Sequence, residues 1–255
     1  MTTQLLERAR AADNGVGRVR QLRSSPVAVL LVDAGAFIDP PNEDAPHSRQ
    51  VRRAAAIADS IRQRLDPLDV SFSDRSRGEL IALVRCEDDG EDPVERLKKR
   101  ATELRAHLKA QLHAELPVAV GLPHVGSNAA TRSYQDARTA LTLARDCAGV
   151  DGTCSLDQMG LAGLVDAPTR ASRRLLARRL LAPLGREPQL EETLRVYFAC
   201  GCSPSETAGQ LGLHRNTLAY RLQRIAKLTG LHPAHFEDAV QLRIALHLVG
   251  SHPVR

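Results

Sequence analysis

The sequence predicts two folded parts in series: an α+β domain of βαββαβ order, then an all-α domain built around a helix-turn-helix. Three observations predict this. Apolar runs of strand length alternate with amphipathic helical periods as far as about Leu156; no strand pattern remains after Pro188; and near the C-terminus a capped short helix, a glycine and a two-faced second helix follow one another directly. The 255 residues leave room for two domains, and 43% hydrophobic with 25% charged residues is ordinary globular usage, which excludes wholesale disorder.

Residues Met1 to Ser25 are poor in apolar side chains and contain Gly15 and Gly17, so they read as a loose lead-in or a short helix. Val27 to Val32 is a continuous apolar run ending at Asp33, the pattern of a strand buried on both faces. Between Ser48 and Leu65, Val51, Ala55, Ala58, Ile61 and Leu65 recur at helical spacing and predict a helix lying on one sheet face. Val70 to Ser73 and Leu80 to Val84 bracket Asp74-Arg-Ser-Arg-Gly78, whose turn residues predict a hairpin. Asp92 and Pro93 open a second helix through Val94, Leu97, Ala101, Leu104, Leu108 and Leu112. Pro117 to Leu122 is a further short strand. A third helix runs from about Asn128 to Cys147 with Tyr134, Ala137, Leu141 and Ala144 on one side, and a short segment follows at Thr153 to Leu156. The order is that of a ferredoxin-like or nucleotide-cyclase-like α+β domain.

From Asp166 to Arg186 six arginines face a single acid, while Leu175, Leu176, Leu180, Leu181 and Leu184 form an apolar stripe. This predicts a connecting helix, and its stripe is the expected subunit interface. The expected organisation is therefore a lead-in over 1–25, an α+β domain over 26–165, an Arg-rich linker helix over 166–187 and a helix-turn-helix domain over 188–255.

The net charge is +5, and of the 35 basic residues only Lys98, Lys99, Lys109 and Lys227 are lysines. Arginine suits phosphate and guanine, although an Arg- and Ala-rich composition also follows from a GC-rich genome, so local clustering has to decide. Five cysteines at irregular spacing, without an export signal, argue against a disulfide framework. Cys200-x-Cys202 has no second close pair and His232-x-x-His235 no helix-spaced carboxylate, so no metal site is expected. Apolar runs far shorter than the ~20 residues of a spanning helix lead to the expectation of a soluble, cytoplasmic chain without membrane contact.

The C-terminal constellation carries the functional signal. Ser203-Pro-Ser-Glu206 places an N-cap serine, a first-turn proline and a third-position glutamate at a helix start, and Gly212 suits its left-handed end. The next helix begins near His214 or Arg215. On a helical wheel Leu218, Leu222 and Ile225 share the core side, while Asn216, Thr217, Tyr220, Arg224 and Lys227 collect opposite, Arg221 stands at the margin and Arg215 nearer the core. No acid lies between His214 and Lys227. Such a face can enter the major groove: arginine forks onto guanine, asparagine onto adenine, and Thr or Tyr holds phosphate or a thymine methyl.

His214-Arg-Asn-Thr-Leu-Ala-Tyr-Arg-Leu222, followed by Leu228-Thr-Gly230, resembles the C-terminal helix-turn-helix signature of PucR/CdaR-type bacterial transcriptional regulators. The likeness runs from about Leu194 to Leu248; Ala219 departs from it, where the family often has a larger polar residue. Upstream, the βαββαβ domain with Val120-Gly121, Tyr134, Ala137 and Ala140 is similar to the GGDEF-like middle domain of these regulators. In active diguanylate cyclases the hairpin carries Gly-Gly-acid-Glu-Phe, and its acid joins an Asp at the first strand's end in binding metal. Here the stretch is Ser76-Arg77-Gly78-Glu79-Leu80: Asp33 remains, but Gly78 stands at the second ligand's place. One carboxylate does not make a two-carboxylate magnesium site, so a degenerate domain without cyclase activity or cofactor is expected.

The resemblance implies a DNA-binding regulator, not an enzyme, that contacts double-stranded promoter DNA through Arg215, Asn216, Thr217, Tyr220, Arg221 and Arg224. A single recognition helix reads few base pairs, so a homodimer or higher oligomer is expected, with an unidentified small-molecule effector. The alternative is a nucleotide or small-molecule sensor acting through the GGDEF-like domain.

Overall fold

A computed structural model of the chain describes residues 25–39, 46–64, 70–74, 78–86, 90–148 and 152–250. The expected lead-in up to residue 24, Leu65 of the expected second-element helix and the Ser76-Arg77 pair lie outside them. Contacts divide the chain into two compact units, Met1–Met159 and Gly160–Arg255.

The first unit runs β1 (Val27–Asp33), α1 (Gly35–Ile38), α2 (His47–Arg62), β2 (Val70–Asp74), β3 (Glu79–Arg85), α3 (Pro93–Leu112), β4 (Val118–Val120), α4 (Ala129–Ala148), β5 (Thr153–Ser155) and a 3-10 turn at Leu156–Gln158. The βαββαβ order stands, with β5 added. The sheet order is β2-β3-β1-β4-β5; β1 is central and antiparallel to β3 and β4, while β5 is parallel to β4. As expected of a strand covered on both faces, β1 is buried along its apolar run. Ala28, Leu30 and Val32, with cross-strand partners Val84, Ala82 and Leu80, point into one core with Ile57 and Ile61 of α2 and Leu97, Ala101, Leu104 and Leu108 of α3. The α2 stripe differs from the one expected: Ala54, Ile57 and Ile61 are buried and Ala55 is exposed. The larger Ile57 turns the helix so that its i, i+3, i+7 row faces the sheet. Asp92 caps α3 by accepting from the Val94 N–H at 3.0 Å.

The opposite sheet face holds α4, which crosses β1, β4 and β5. Two devices seat it. Ser133 Oγ accepts the Val29 N–H at 2.8 Å, and Gly121 leaves room for the approach, since a Cβ there would lie 2.1 Å from the Ser133 carbonyl oxygen. A turn further along, buried Asp136 bonds His124 Nε2 at 2.7 Å.

The second unit contains α5 (Gly160–Asp166), α6 (Arg170–Leu181), a 3-10 turn at Ala182–Arg186, α7 (Pro188–Ala199), α8 (Pro204–Leu211), α9 (Arg215–Thr229) and α10 (Phe236–Gly250). The Arg-rich segment, expected as a linker helix over 166–187, forms α6 and the following 3-10 turn of this unit. Thr169 caps α6, accepting from the Ser172 N–H at 3.0 Å, and Leu176, Ala177, Leu181 and Leu184 are buried, with α6 packed on α10. The apolar stripe is therefore covered within its own unit. Leu176, Leu181 and Leu184 are closed to a second subunit, which corrects the expected interface; only Leu175 and Leu180 stay half-buried. Among the described residues no helix is long and apolar enough to cross a membrane.

Candidate nucleic-acid interface

Local chemistry fixes the helix-turn-helix. Ser203 Oγ accepts the Glu206 N–H at 3.5 Å and Thr207 Oγ1 donates to the Ser203 carbonyl at 2.7 Å, so α8 starts where its capping sequence placed it. Gly212 takes φ +63°, and Leu213 N–H donates to the Ala208 carbonyl at 2.9 Å, ending α8 in a left-handed cap. After this tight turn His214 caps α9, its Nδ1 accepting the Asn216 N–H at 3.3 Å.

The wheel assigned the core side of α9 correctly: Leu218, Leu222 and Ile225 are buried at 1%, 7% and 0% exposure. Arg215, Asn216, Thr217 and Ala219 are exposed, and so is Tyr220, at 65%. Arg215 thus belongs to the exposed side, because at the first helical position its side chain extends past the packed surface. Four candidates, Arg215, Asn216, Thr217 and Tyr220, form one open surface over the first one and a half turns.

The other two are engaged by the protein itself. Arg221 Nη1 donates to Thr193 Oγ1 at 3.1 Å, and Thr193, fully buried, donates to the Gln189 carbonyl at 2.6 Å. Arg224 donates through Nε at 2.9 Å and Nη2 at 2.6 Å to Glu187 Oε1. The Glu187 carboxylate, by hydrogen bond and charge, holds the Arg224 guanidinium above its ordinary pKa. Both arginines are half-buried and tie α9 to the start of α7. Glu187 and Thr193 carry no local signal in the sequence, being 37 and 28 residues from their partners.

Charge follows the same division. The second unit holds 13 basic and 7 acidic residues and the first 22 and 23, so the positive excess of the chain lies in the second unit, most of it in the Arg-rich segment from Arg170 to Arg186. That clustering favours a polyanionic partner over genome composition alone.

The hairpin region of the first unit is built differently from a two-carboxylate site. Asp33 and Glu79 stand opposite each other in the β1/β3 register. Asp33 is paired with Arg145, and Glu79 accepts from the Tyr134 hydroxyl and faces Arg138 Nε at 3.5 Å. Gly78 has φ +63°, and a Cβ on it would lie 2.4 Å from Gly35 Cα. A side chain at the second ligand's place is thus excluded by backbone packing.

Comparison with known proteins agrees with this division. The family described as the PucR C-terminal helix-turn-helix domain matches residues 190–248, and the GGDEF-like domain matches residues 23–143. The carbohydrate diacid regulator of Escherichia coli (strain K12) is 28% identical over 205 residues, covering 74% of this chain and 53% of that protein. The purine catabolism regulatory protein of Bacillus subtilis (strain 168) is 42% identical over 62 residues, 24% of this chain and 12% of its own length. Among solved structures, a regulator of polyketide synthase expression from Bifidobacterium adolescentis superposes with a TM-score of 0.53 at 18% identity, covering 88% of this chain and 84% of that one, a likeness of fold. The two matches together define the class as a GGDEF-like domain followed by a PucR-type helix-turn-helix domain. More narrowly, residues 190–248 carry the PucR-type helix-turn-helix and residues 23–143 the GGDEF-like domain, and most of the chain is similar to the carbohydrate diacid regulator. The chain spans about half the length of the Escherichia coli relative and a smaller share of the Bacillus one.

Proposed function

We propose that this chain binds promoter DNA sequence-specifically and regulates transcription in the cytoplasm, reading bases with the N-terminal half of α9. The observation that carries the reading is the exposure of Arg215, Asn216, Thr217 and Tyr220 on a helix whose opposite side is locked by Leu218, Leu222 and Ile225. A first turn presenting Asn and Thr can reach base edges, whereas residues further along pass the phosphate backbone. One such helix covers few base pairs, so two or more copies on adjacent half-sites complete the site. The first unit serves as a non-catalytic domain, since Asp33 is neutralised by Arg145 and position 78 admits no second ligand.

The test is a duplex selected from a random library by the wild-type chain, compared with unselected duplex. Asn216→Ala is expected to cost about 1 to 3 kcal/mol on the selected duplex and much less on the unselected one. Equal losses on both would show that Asn216 does not read bases.

A further inference from the structure

Arg224 lies on the strip of α9 that carries Thr217 and Tyr220, at i, i+3 and i+7, yet its guanidinium already faces a carboxylate. Glu187 is no freely moving surface acid. Pro188 follows it, its N–H donates to the Leu184 carbonyl at 2.9 Å, and its own carbonyl accepts the Leu190 N–H at 2.8 Å, so its backbone is fixed from both sides. Side-chain exposures of 35% for Arg224 and 27% for Glu187 leave the pair partly sheltered from water. Salt screens such a pair less than a fully exposed one.

A phosphate contact strengthens binding by releasing the counterion that the phosphate held, and this needs a cation whose charge is not already matched. With Glu187 in place, a DNA phosphate at Arg224 competes with a carboxylate 2.6 Å away and is itself repelled by it. Asn216 and Thr217 lie eight and seven residues earlier, about 12 and 10 Å along the helix axis, where they escape most of this penalty. A carboxylate placed so lowers affinity for DNA in general while leaving base reading intact. Discrimination is a difference of affinities and rises when the unwanted one falls.

We propose that Glu187 is a specificity-determining residue: it occupies Arg224 and thereby restrains sequence-independent phosphate binding by the recognition helix. The inference rests on the DNA-reading role of α9 proposed above. It differs from what the sequence of α9 alone suggests, namely that Arg224 is an unencumbered phosphate ligand.

The experiment measures affinity of the full chain for a labelled random-sequence duplex about two helical turns long, between about 50 and 200 mM salt. Glu187→Gln keeps the size and the acceptor oxygen but removes the charge. It is expected to bind the random duplex more tightly, with the slope of log affinity against log salt steeper by about 0.9, one phosphate's worth. Arg224→Ala alone is expected to change that slope by much less than 0.9, and Glu187→Gln added to Arg224→Ala to gain nothing. Unchanged slope and affinity in Glu187→Gln, or weaker binding, would overturn the inference. If Glu187→Gln does not fold, Arg224→Ala decides: loss of a full unit of slope shows an unrestrained phosphate contact and overturns it. Wild-type chain without salt-dependent duplex binding refutes the DNA-reading role as well, whereas wild-type binding with an unresponsive Glu187→Gln refutes only the inference about Glu187.

Discussion

Adding one methyl group at Gly121 tests how α4 is seated on the sheet. In Gly121→Ala the new Cβ would stand 2.1 Å from the Ser133 carbonyl oxygen, 2.3 Å from Ser133 Oγ and 2.7 Å from the Ser133 carbonyl carbon. Two of these atoms are backbone, so no rotamer change removes the clash. The N-terminal half of α4 has to move off β1 and β4 by more than 1 Å, about what ordinary van der Waals contact requires. Overpacking of this kind costs about 1 to 3 kcal/mol. The same movement breaks the bond from Val29 N–H to Ser133 Oγ, and an orphaned buried donor costs about 1 to 3 kcal/mol more. The sum, about 2 to 6 kcal/mol, is a large share of the ~5 to 15 kcal/mol that a domain has in all. Because the two units can unfold separately, a unit-specific probe is needed: native-state hydrogen exchange of the β1 segment, read by mass spectrometry. Exchange there is expected to accelerate at least about thirtyfold at 2 kcal/mol, taking tenfold per 1.4 kcal/mol. Ser133→Ala removes only the acceptor and is expected to cost about 1 to 3 kcal/mol. Protection in Gly121→Ala within about 0.5 kcal/mol of wild type would refute the reasoning. So would an equal cost for Ser133→Ala, since the backbone clash would then contribute nothing.

Two further outcomes are expected. Burial pushes the Cys154 thiol up to about 11, against a smaller opposing effect of Arg145, and Cys86 is buried too, whereas Cys202 is exposed. Iodoacetamide near pH 8 should therefore label Cys202 in the folded chain and reach Cys86 and Cys154 only in denaturant; early labelling of Cys154 would contradict its burial. Burial alone would lower the Lys98 ammonium, but hydrogen bonds and charge from Glu95 and Asp157 outweigh it and hold the group above its ordinary value of 10.5. A raised folded pKa stabilises below the unfolded value and loses that contribution as pH climbs through the folded one. In urea titrations the stability gap between wild type and Lys98→Met should then be constant at neutral pH and shrink above about pH 10.5; a gap that persists there would show that the ion pair contributes nothing.

Local signals explain what could be read from the chain without its structure. Ser203, Pro204 and Gly212 cap α8 through atoms within a few residues of one another, so the sequence contains the whole interaction. Likewise Leu218, Leu222 and Ile225 recur with the period of the helix they build. Periodicity failed where two rows competed: on α2, Ala55 and Ala58 gave as regular a stripe as Ala54 and Ile57, and only the sheet's demand for volume selects the row with Ile57. It also failed for the Arg-rich segment, where a helix with an apolar stripe was legible but not its partner α10, some sixty residues later.

Helix α9 shows the same limit. A wheel places Arg224 beside Tyr220 and Thr217 by angle alone and gives it the role of its neighbours. What separates Arg224 from them is Glu187, held on another helix's threshold by Leu184, Pro188 and Leu190. Arg221 is drawn off the face in the same way by a buried threonine of α7. The exposed set shrinks from six residues to the four in the first one and a half turns, and these include the short polar side chains, Asn216 and Thr217, best able to discriminate between bases. Of the three arginines in the set, Arg224 is held by a carboxylate and Arg221 by a neutral hydroxyl, while Arg215 stays exposed beside Asn216 and Thr217. With Arg224 paired to Glu187, an α9 interface of the kind proposed above would have less sequence-independent attraction than its composition suggests, and a larger part of its affinity would come from contacts that depend on the base.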